Sequence, residues 1–154
     1  MSGPGGDCNY NAELSSDGKH VVSVNSTTQV DLQGQASSES SGHRHLTGTG
    51  GQLQFVRGAY ASRGGKSFLC VTSTRQRRDG SVESRIVTEL TPGSVVTTPR
   101  TDVMYVATEW GLVNLKGRSV PERAKALISI AHPDYRESLS RTARDSGLLP
   151  RNVF

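Results

Sequence analysis

Gly48-Thr49-Gly50-Gly51 stands directly ahead of Gln52, where an apolar-periodic segment begins. Glycines let the backbone approach a ligand closely, and the first N–H groups of a helix have no intrahelical acceptor. The pairing therefore suits an anion or an oxyanion; a plain flexible loop accounts for the same residues on local grounds. Two phosphate motifs fail. A dinucleotide fingerprint needs a third glycine where Leu53 stands. Gly65-Lys66-Ser67 has the end of a nucleotide P-loop, but Tyr60 occupies the place of its first glycine and a strand-like run follows Ser67. His43-Arg44-His45 brings two ring nitrogens near each other, yet Glu39 is the one carboxylate close in sequence. That favours a solvated loop, and no metal ligand is assigned. Arg75, Arg77 and Arg78 crowd a turn beside Asp79 with no aromatic residue among them. Bases would have no platform to stack on, which favours a solvated turn. Arg100, Asp102 and Glu109 flank an apolar stretch. Polar groups so placed face ligand crevices in α/β folds, and they also form structural ion pairs; spacing does not choose between the two.

The elements that must position these residues are legible in outline. Short β-rich runs occupy 20–24 and 29–32. Gly- and Ser-rich composition from 33 to 51 predicts a long loop, well beyond the usual connection of about 4–6 residues. Phe55, Val56, Ala59 and Tyr60 predict a helix over Gln52–Ala61. Residues 67–72 form a continuous apolar run that predicts a core strand covered on both faces, with Cys70 a buried thiol. Asp79-Gly80 marks a hairpin whose return strand is expected over 84–88. Further strands are expected over 94–97, 103–108 and 112–115. Ser119 and Glu122 make a capping-box pattern ahead of Ala124, Leu127, Ile128 and Ala131. Pro133 is expected to stop that helix, Asp134 to cap the next, and Gly147 to end it. Strands with helices interspersed predict an α/β class: a layered open sheet flanked by helices. Residues 1–19 read as a flexible N-terminal arm and partial lead-in, and 20–154 as one domain.

Size and composition bound the function. The chain has 154 residues, so one domain is expected at roughly 100–200 residues each. Apolar residues are 33%, which allows one thin core. The net charge of +4 rests on fourteen arginines and four lysines, a bias toward planar contacts with carboxylate or phosphate, or simply toward a soluble surface. No apolar run nears the roughly 18 residues of a membrane span, and the start has neither the charge nor the apolar stretch of a signal peptide. Neither a membrane nor a nucleic acid is an expected partner. Cys8 and Cys70 are too few for a disulfide framework or zinc cluster, so a reducing compartment is expected: the cytoplasm, with an organellar matrix equally consistent.

Read together, the residues resemble the C-terminal domain of the acetyl-CoA hydrolase/transferase family, which includes 4-hydroxybutyrate and butyrate:acetate CoA-transferases. The matching stretches begin with Val24-Asn25-Ser26, Val30-Asp31-Leu32-x-Gly34-Gln35, Gly48-x-Gly50-Gly51-Gln52-x-x-Phe55 and Arg57-Gly58-Ala59. They continue through Gly64-Gly65-Lys66-Ser67, Ser84-Arg85-Ile86-Val87 and Val96-Thr97-Thr98-x-Arg100-x-Asp102-Val103. Thr108-Glu109-x-Gly111, Leu115-Lys116-Gly117, Glu122-Arg123-Ala124 and Ile130-Ala131-His132-Pro133 complete the series, in order and without large gaps.

The resemblance implies one of the two similar halves of a CoA-transferase subunit. It implies no permanently bound cofactor, with coenzyme A or acyl-CoA as substrate and a small carboxylic acid as the other reactant. It also implies a partner, either an N-terminal CoA-transferase domain or further copies of the chain. In the family a glutamate attacks an acyl-CoA thioester, passes through a glutamyl-CoA intermediate, and delivers CoA to an acceptor carboxylate or, with water, hydrolyses it. By this resemblance Gly48, Gly50, Gly51 and Gln52 form the loop against the thioester, with Gly50 and Gly51 as backbone donors and Gln52 as a polar contact. Asn25, Arg100, Asp102, Glu109 and Lys116 are the pocket candidates. Two departures stand out: Gln54 occupies a position where the family pattern has Asp, and the family's nucleophilic glutamate lies upstream of the matching segment. Glu109-Trp110-Gly111 spells the E-x-G that other CoA-transferases place around their nucleophile. In this family that stretch is separate from the nucleophile, so Glu109 is read as a pocket or structural carboxylate, with the nucleophilic role left as the alternative.

Overall fold

The computed structural model describes residues 20–150, so the expected arm over 1–19 lies outside them. In chain order the elements are β1 (Val22–Ser26), β2 (Gln29–Asp31), β3 (Ala36–Ser37), β4 (Ser40–Ser41), β5 (Arg44–His45), α1 (Gln52–Ala61), β6 (Lys66–Cys70) and β7 (Thr74–Gln76). They are followed by β8 (Val82–Ser84), β9 (Ile86–Val87), β10 (Tyr105–Thr108), β11 (Gly111–Asn114), α2 (Val120–Ser129) and α3 (Pro133–Asp145). The main sheet has the order β1-β6-β10-β11. Its first three strands are parallel and β11 returns antiparallel. β1, α1 and β6 make a βαβ unit, the connection parallel neighbours require. A smaller sheet, β3-β2-β9, lies beside it. This is the α/β class expected, an open sheet with flanking helices.

Register decides which side chains meet the core. Asn25 pairs with Leu69 and Leu69 with Val106, so the three share one face with Ser23 and Ser67. On that face Leu69 and Val106 are fully buried among Val56 of α1 and Ala124, Leu127 and Ile128 of α2. The opposite face carries Val22, Val24, Phe68, Tyr105 and Leu112. There Val24 is 67% and Val22 60% exposed, and Phe68 and Tyr105 stack with ring centroids 5.0 Å apart.

This one-sided cover corrects the reading of 67–72. The strand spans Lys66–Cys70; after the exposed Lys66 it alternates between buried and half-buried residues, and Cys70 is half-buried rather than enclosed. β1 begins two residues later than expected. The loop over 33–51 contains the three two-residue strands β3, β4 and β5. The hairpin turns at Asp79-Gly80, but its return strand is β8, because Ile86 leaves to pair with Val30 in the smaller sheet.

No strand forms over 94–97, where one bridge joins Ala36 and Thr98. Hydroxyls take the place of a ladder there: Gly42 N donates to Ser94 Oγ at 2.8 Å and Ser38 N to Thr97 Oγ1 at 3.0 Å. α2 starts at its expected cap, with Ser119 N donating to Glu122 Oε2 at 2.8 Å. It ends before Pro133, which opens α3 instead of stopping α2. His132, not Asp134, is the α3 cap, its Nδ1 accepting from Asp134 N. Proline is well suited to a first helical turn, where its missing N–H has no partner to lose.

Two family-like stretches turn out to hold the layers together. Asp31, almost fully buried, accepts from Gln33 N, Gln35 N and Gln35 Nε2 at 2.7–3.0 Å, which folds the chain sharply at Gly34. Gly34 has φ +93°, a conformation that favours glycine. Against it lies Arg123 of α2, buried and donating to the carbonyls of Arg100 at 2.6 Å and Arg118 at 3.1 Å. Burial, then the neighbouring Arg100, lowers the Arg123 pKa. A Cβ at Gly34 would sit 2.9 Å from Arg123 Nη1. Gly34→Ala is therefore expected to destabilise the domain by about 1–3 kcal/mol from backbone strain, before any displacement of Arg123. A urea midpoint equal to that of the parent chain would refute this packing.

Candidate functional site

β1, β6 and β10 run parallel, so Ser26, Cys70 and Thr108 reach the same edge of the sheet. Ligand crevices of open α/β sheets lie outside such carboxyl ends. A cavity of ≈ 430 Å³ opens there, lined among others by Ser26, Thr27, Cys70, Arg85, Ala107 and Glu109.

Its rim is organised by Ser73, which is completely buried. Ser73 donates to the Glu109 carboxylate from its backbone N at 2.9 Å and from its hydroxyl. Trp110 Nε1 donates to the same hydroxyl at 3.2 Å, and Arg85 N donates to Ser73 O at 2.8 Å. Both Glu109 oxygens are thus engaged. Partial burial alone would raise the Glu109 carboxyl. The hydrogen bonds from Ser73, with the charge of His132, outweigh it and hold the group below its ordinary value of 4.5. The Trp110 and His132 rings meet edge to face at 5.4 Å.

The glycine loop enters the same end of the fold, because α1 runs back antiparallel to β1. Gly50 has φ +60°, with open space where a side chain would project. Gly51 is the α1 N-cap; no side chain caps this helix and its first turn holds no acidic residue. Its leading amides therefore keep their donors for an external acceptor. Asn25 lines a second cavity of ≈ 270 Å³ with Phe55 of the first α1 turn, and its Nδ2 is buried without a partner. Gln52 is buried and donates from Nε2 to Thr98 Oγ1 at 3.0 Å, which anchors the start of α1 to the 97–98 segment.

The remaining candidates lie away from this edge. Asp102 precedes β10 whereas Glu109 follows it, and Lys116 follows the antiparallel β11, so Asp102 and Lys116 share the opposite end. Asp102 pairs with Arg57 at 3.0 Å, Lys116 Nζ sits 3.9 Å above the Tyr60 ring, and Arg100 donates to Gln33 at 3.0 Å. Spacing had left the choice between a ligand and a structural pair open; the geometry gives Asp102 a structural pair.

The basic turn is likewise internally paired, Arg75 and Arg77 both gripping Glu83. Glu39, the carboxylate nearest His43 and His45, accepts from Thr97 Oγ1 at 2.9 Å. Among the described residues no group of three His, Cys, Asp or Glu is arranged to hold a metal. Ser73 and the placement of Arg85 escaped sequence reading, for a serine beside a threonine carries no periodic or motif signal.

Removing the Ser73 hydroxyl should release Glu109. Ser73→Ala is expected to raise the Glu109 pKa, measured by carboxyl NMR titration, and to cost about 1 kcal/mol at neutral pH. Because the folded pKa is depressed, that stabilisation is present above pH 4.5 and is lost as pH falls through the folded value. An unmoved Glu109 titration in Ser73→Ala would refute the clasp.

Comparison with known proteins follows the same outline. The model of the acetyl-CoA hydrolase/transferase C-terminal domain matches residues 1–143. A butyryl-CoA:acetate CoA-transferase of Anaerostipes caccae is 46% identical over 152 residues, 99% of this chain and 34% of that protein. A 4-hydroxybutyrate coenzyme A transferase of Clostridium kluyveri is 51% identical over 120 residues, 78% of this chain and 27% of that protein. The crystal structure of RipA from Yersinia pestis superposes with a TM-score of 0.73 at 46% identity, covering 84% of this chain and 28% of that one. The chain thus spans 27–34% of the length of these relatives.

Proposed function

Because the chain belongs to the acetyl-CoA hydrolase/transferase C-terminal domain family, we propose that it forms the C-terminal part of a CoA-transferase or acyl-CoA hydrolase. In this reading CoA moves between an acyl-CoA and a small carboxylic acid. A glutamate carboxylate from a segment or subunit other than this one attacks the thioester carbonyl, and CoA leaves as a thiolate. The thiolate then attacks the glutamyl carbonyl of the resulting anhydride, releasing the first acid and leaving a glutamyl-CoA thioester. The acceptor carboxylate attacks that thioester, CoA leaves again, and the thiolate takes up the new acyl group, restoring the glutamate.

The observation that carries the reading is the uncapped start of α1 behind Gly50 and Gly51, beside the partnerless Asn25 amide. The negative oxygen of each tetrahedral intermediate would be met here by preorganised donors. Gln52 would act by fixing the helix start rather than by touching the ligand. The uncovered sheet face, with Val22, Val24 and Leu112 all more than half exposed, supports a partner seated there: the N-terminal half of such an enzyme or another copy of the chain.

One observation favours a second reading, a module that binds CoA or acyl-CoA without turnover. Glu109, the only carboxylate among the described residues that line the main cavity, has both oxygens held by Ser73.

Turnover separates these readings. The purified chain is incubated with acetyl-CoA and butyrate, alone and with the N-terminal two-thirds of a family transferase, and butyryl-CoA is followed by chromatography. The expected outcome is product only in the mixture. Product from the chain alone, abolished by Glu109→Gln, would make Glu109 the nucleophile and overturn this division of roles. Failure of the mixture to turn over, with CoA still bound, would leave the binding module.

Seating on the sheet face has its own check. Sedimentation velocity should show the chain self-associating or joining the added half, and Val24→Glu should abolish this while leaving the fold intact. A monodisperse monomer that ignores the added half would refute it.

A further inference from the structure

Arg85 is the one charged group at the main cavity that has no counterpart among the described residues. Its Nε is sealed from solvent with no hydrogen-bond partner, and it makes no ion pair among the described residues. Glu109, the other charge on the cavity wall, is already held by Ser73. An arginine partly withdrawn from water without an anion is costly, and its planar fork matches a carboxylate in two parallel hydrogen bonds. Its position is enforced from the backbone, since Arg85 N donates to Ser73 O and Arg85 O accepts from Val30 N, both within 2.9 Å. The rest of the cavity is lined by small uncharged residues: Cys70, Val71 and Ala107, with Ser26 and three threonines.

We propose that Arg85 anchors the carboxylate of a short-chain acid in this cavity, with the alkyl chain lying against Cys70, Val71 and Ala107. The assignment deepens the transfer reading above, on which it rests for the identity of the acid, and makes Arg85 a specificity-determining residue. A single carboxylate matches a single unpaired cation. A phosphate group of CoA would bring up to two negative charges beside Glu109, which like-charge repulsion disfavours.

Cys70 lines the same cavity and reports on it directly. In a Cys8→Ser background it is the sole thiol of the chain. Its thiolate displaces iodide from iodoacetate or iodoacetamide, forming a sulfur–carbon bond, and the two rates are compared at constant ionic strength.

Arg85→Met is expected to lower the ratio of iodoacetate to iodoacetamide rates about tenfold, in line with loss of a charge-assisted hydrogen bond, and Arg85→Lys to retain most of it. Butyrate is expected to slow iodoacetamide alkylation in the parent chain and in Arg85→Lys but not in Arg85→Met. ADP, which offers phosphates without a carboxylate, is expected not to slow it. An unchanged rate ratio in Arg85→Met, no protection by butyrate, or protection by ADP alone would each overturn the assignment. If Arg85→Met does not fold, as judged by circular dichroism, the butyrate and ADP arms on the parent chain decide. Butyrate protection in a chain that never binds or transfers CoA would retain the carboxylate site and refute the transfer reading. CoA binding without butyrate protection would do the reverse.

Discussion

A buried serine with every polar atom bonded holds the cavity edge of this domain together. Ser73 sits where β6 gives way to β7, and its amide and hydroxyl fasten Glu109 at the β10–β11 turn. Its carbonyl receives the amide of Arg85, at the step from the hairpin to the smaller sheet. Three segments remote in sequence are thus pinned to one point at the carboxyl ends of the parallel strands. A buried polar group left without partners is expensive, so these contacts support one another. The cavity is a consequence: its walls are the strand ends that this junction holds in place.

Two of the buried or half-buried arginines, Arg123 and Arg85, show what full and incomplete satisfaction mean. Arg123 is enclosed against Gly34 and donates to the backbone carbonyls of Arg118, just ahead of α2, and of the distant Arg100. It is a structural cation, neutralised by dipoles rather than by a carboxylate. Arg85 has its backbone fully engaged and its guanidinium Nε unengaged. Asn25 repeats the pattern at the start of α1, with an amide nitrogen buried and unpartnered beside a helix terminus that nothing caps. Ser23 and Ser67, nearer the amino ends of β1 and β6, also keep a buried hydroxyl without a partner, so Arg85 and Asn25 are set apart by their place at the edge where a parallel sheet receives its ligand. Asp102 and Lys116, at the far end, have each found a partner within the chain.

The one-sided cover of the main sheet links the site to its surroundings. Helices and the smaller sheet enclose Leu69 and Val106, while Val22, Val24 and Leu112 stand open on the other side. A parallel sheet is ordinarily covered on both faces. The stack of Phe68 on Tyr105 gives part of the open face some shelter, though far less than a packed layer would.

Much of this was legible before any coordinates. The amphipathic run over Gln52–Ala61, the Ser119–Glu122 cap and the Asp79-Gly80 turn are local devices, each settled by residues within one helical turn or one hairpin of each other. The ordered motifs carried the family and its α/β class, and with them the glycine loop at the head of α1. What local pattern could not decide was everything set by pairing at a distance. The alternation of 66–70 depends on which face the helices cover. Residues 94–97 look like a strand, yet the hydroxyls of Ser94 and Thr97 accept from amides of a distant loop, and Val95 N donates to Ser40 Oγ of that loop. Pro133 reads as a stop until the chain is seen to turn and use it as a start. The separation of Asp102 and Lys116 from Glu109, and the gathering of Glu109, Ser73 and Arg85, follow from strand order and register. Those are fixed by burying a common core, which no stretch of sequence specifies alone.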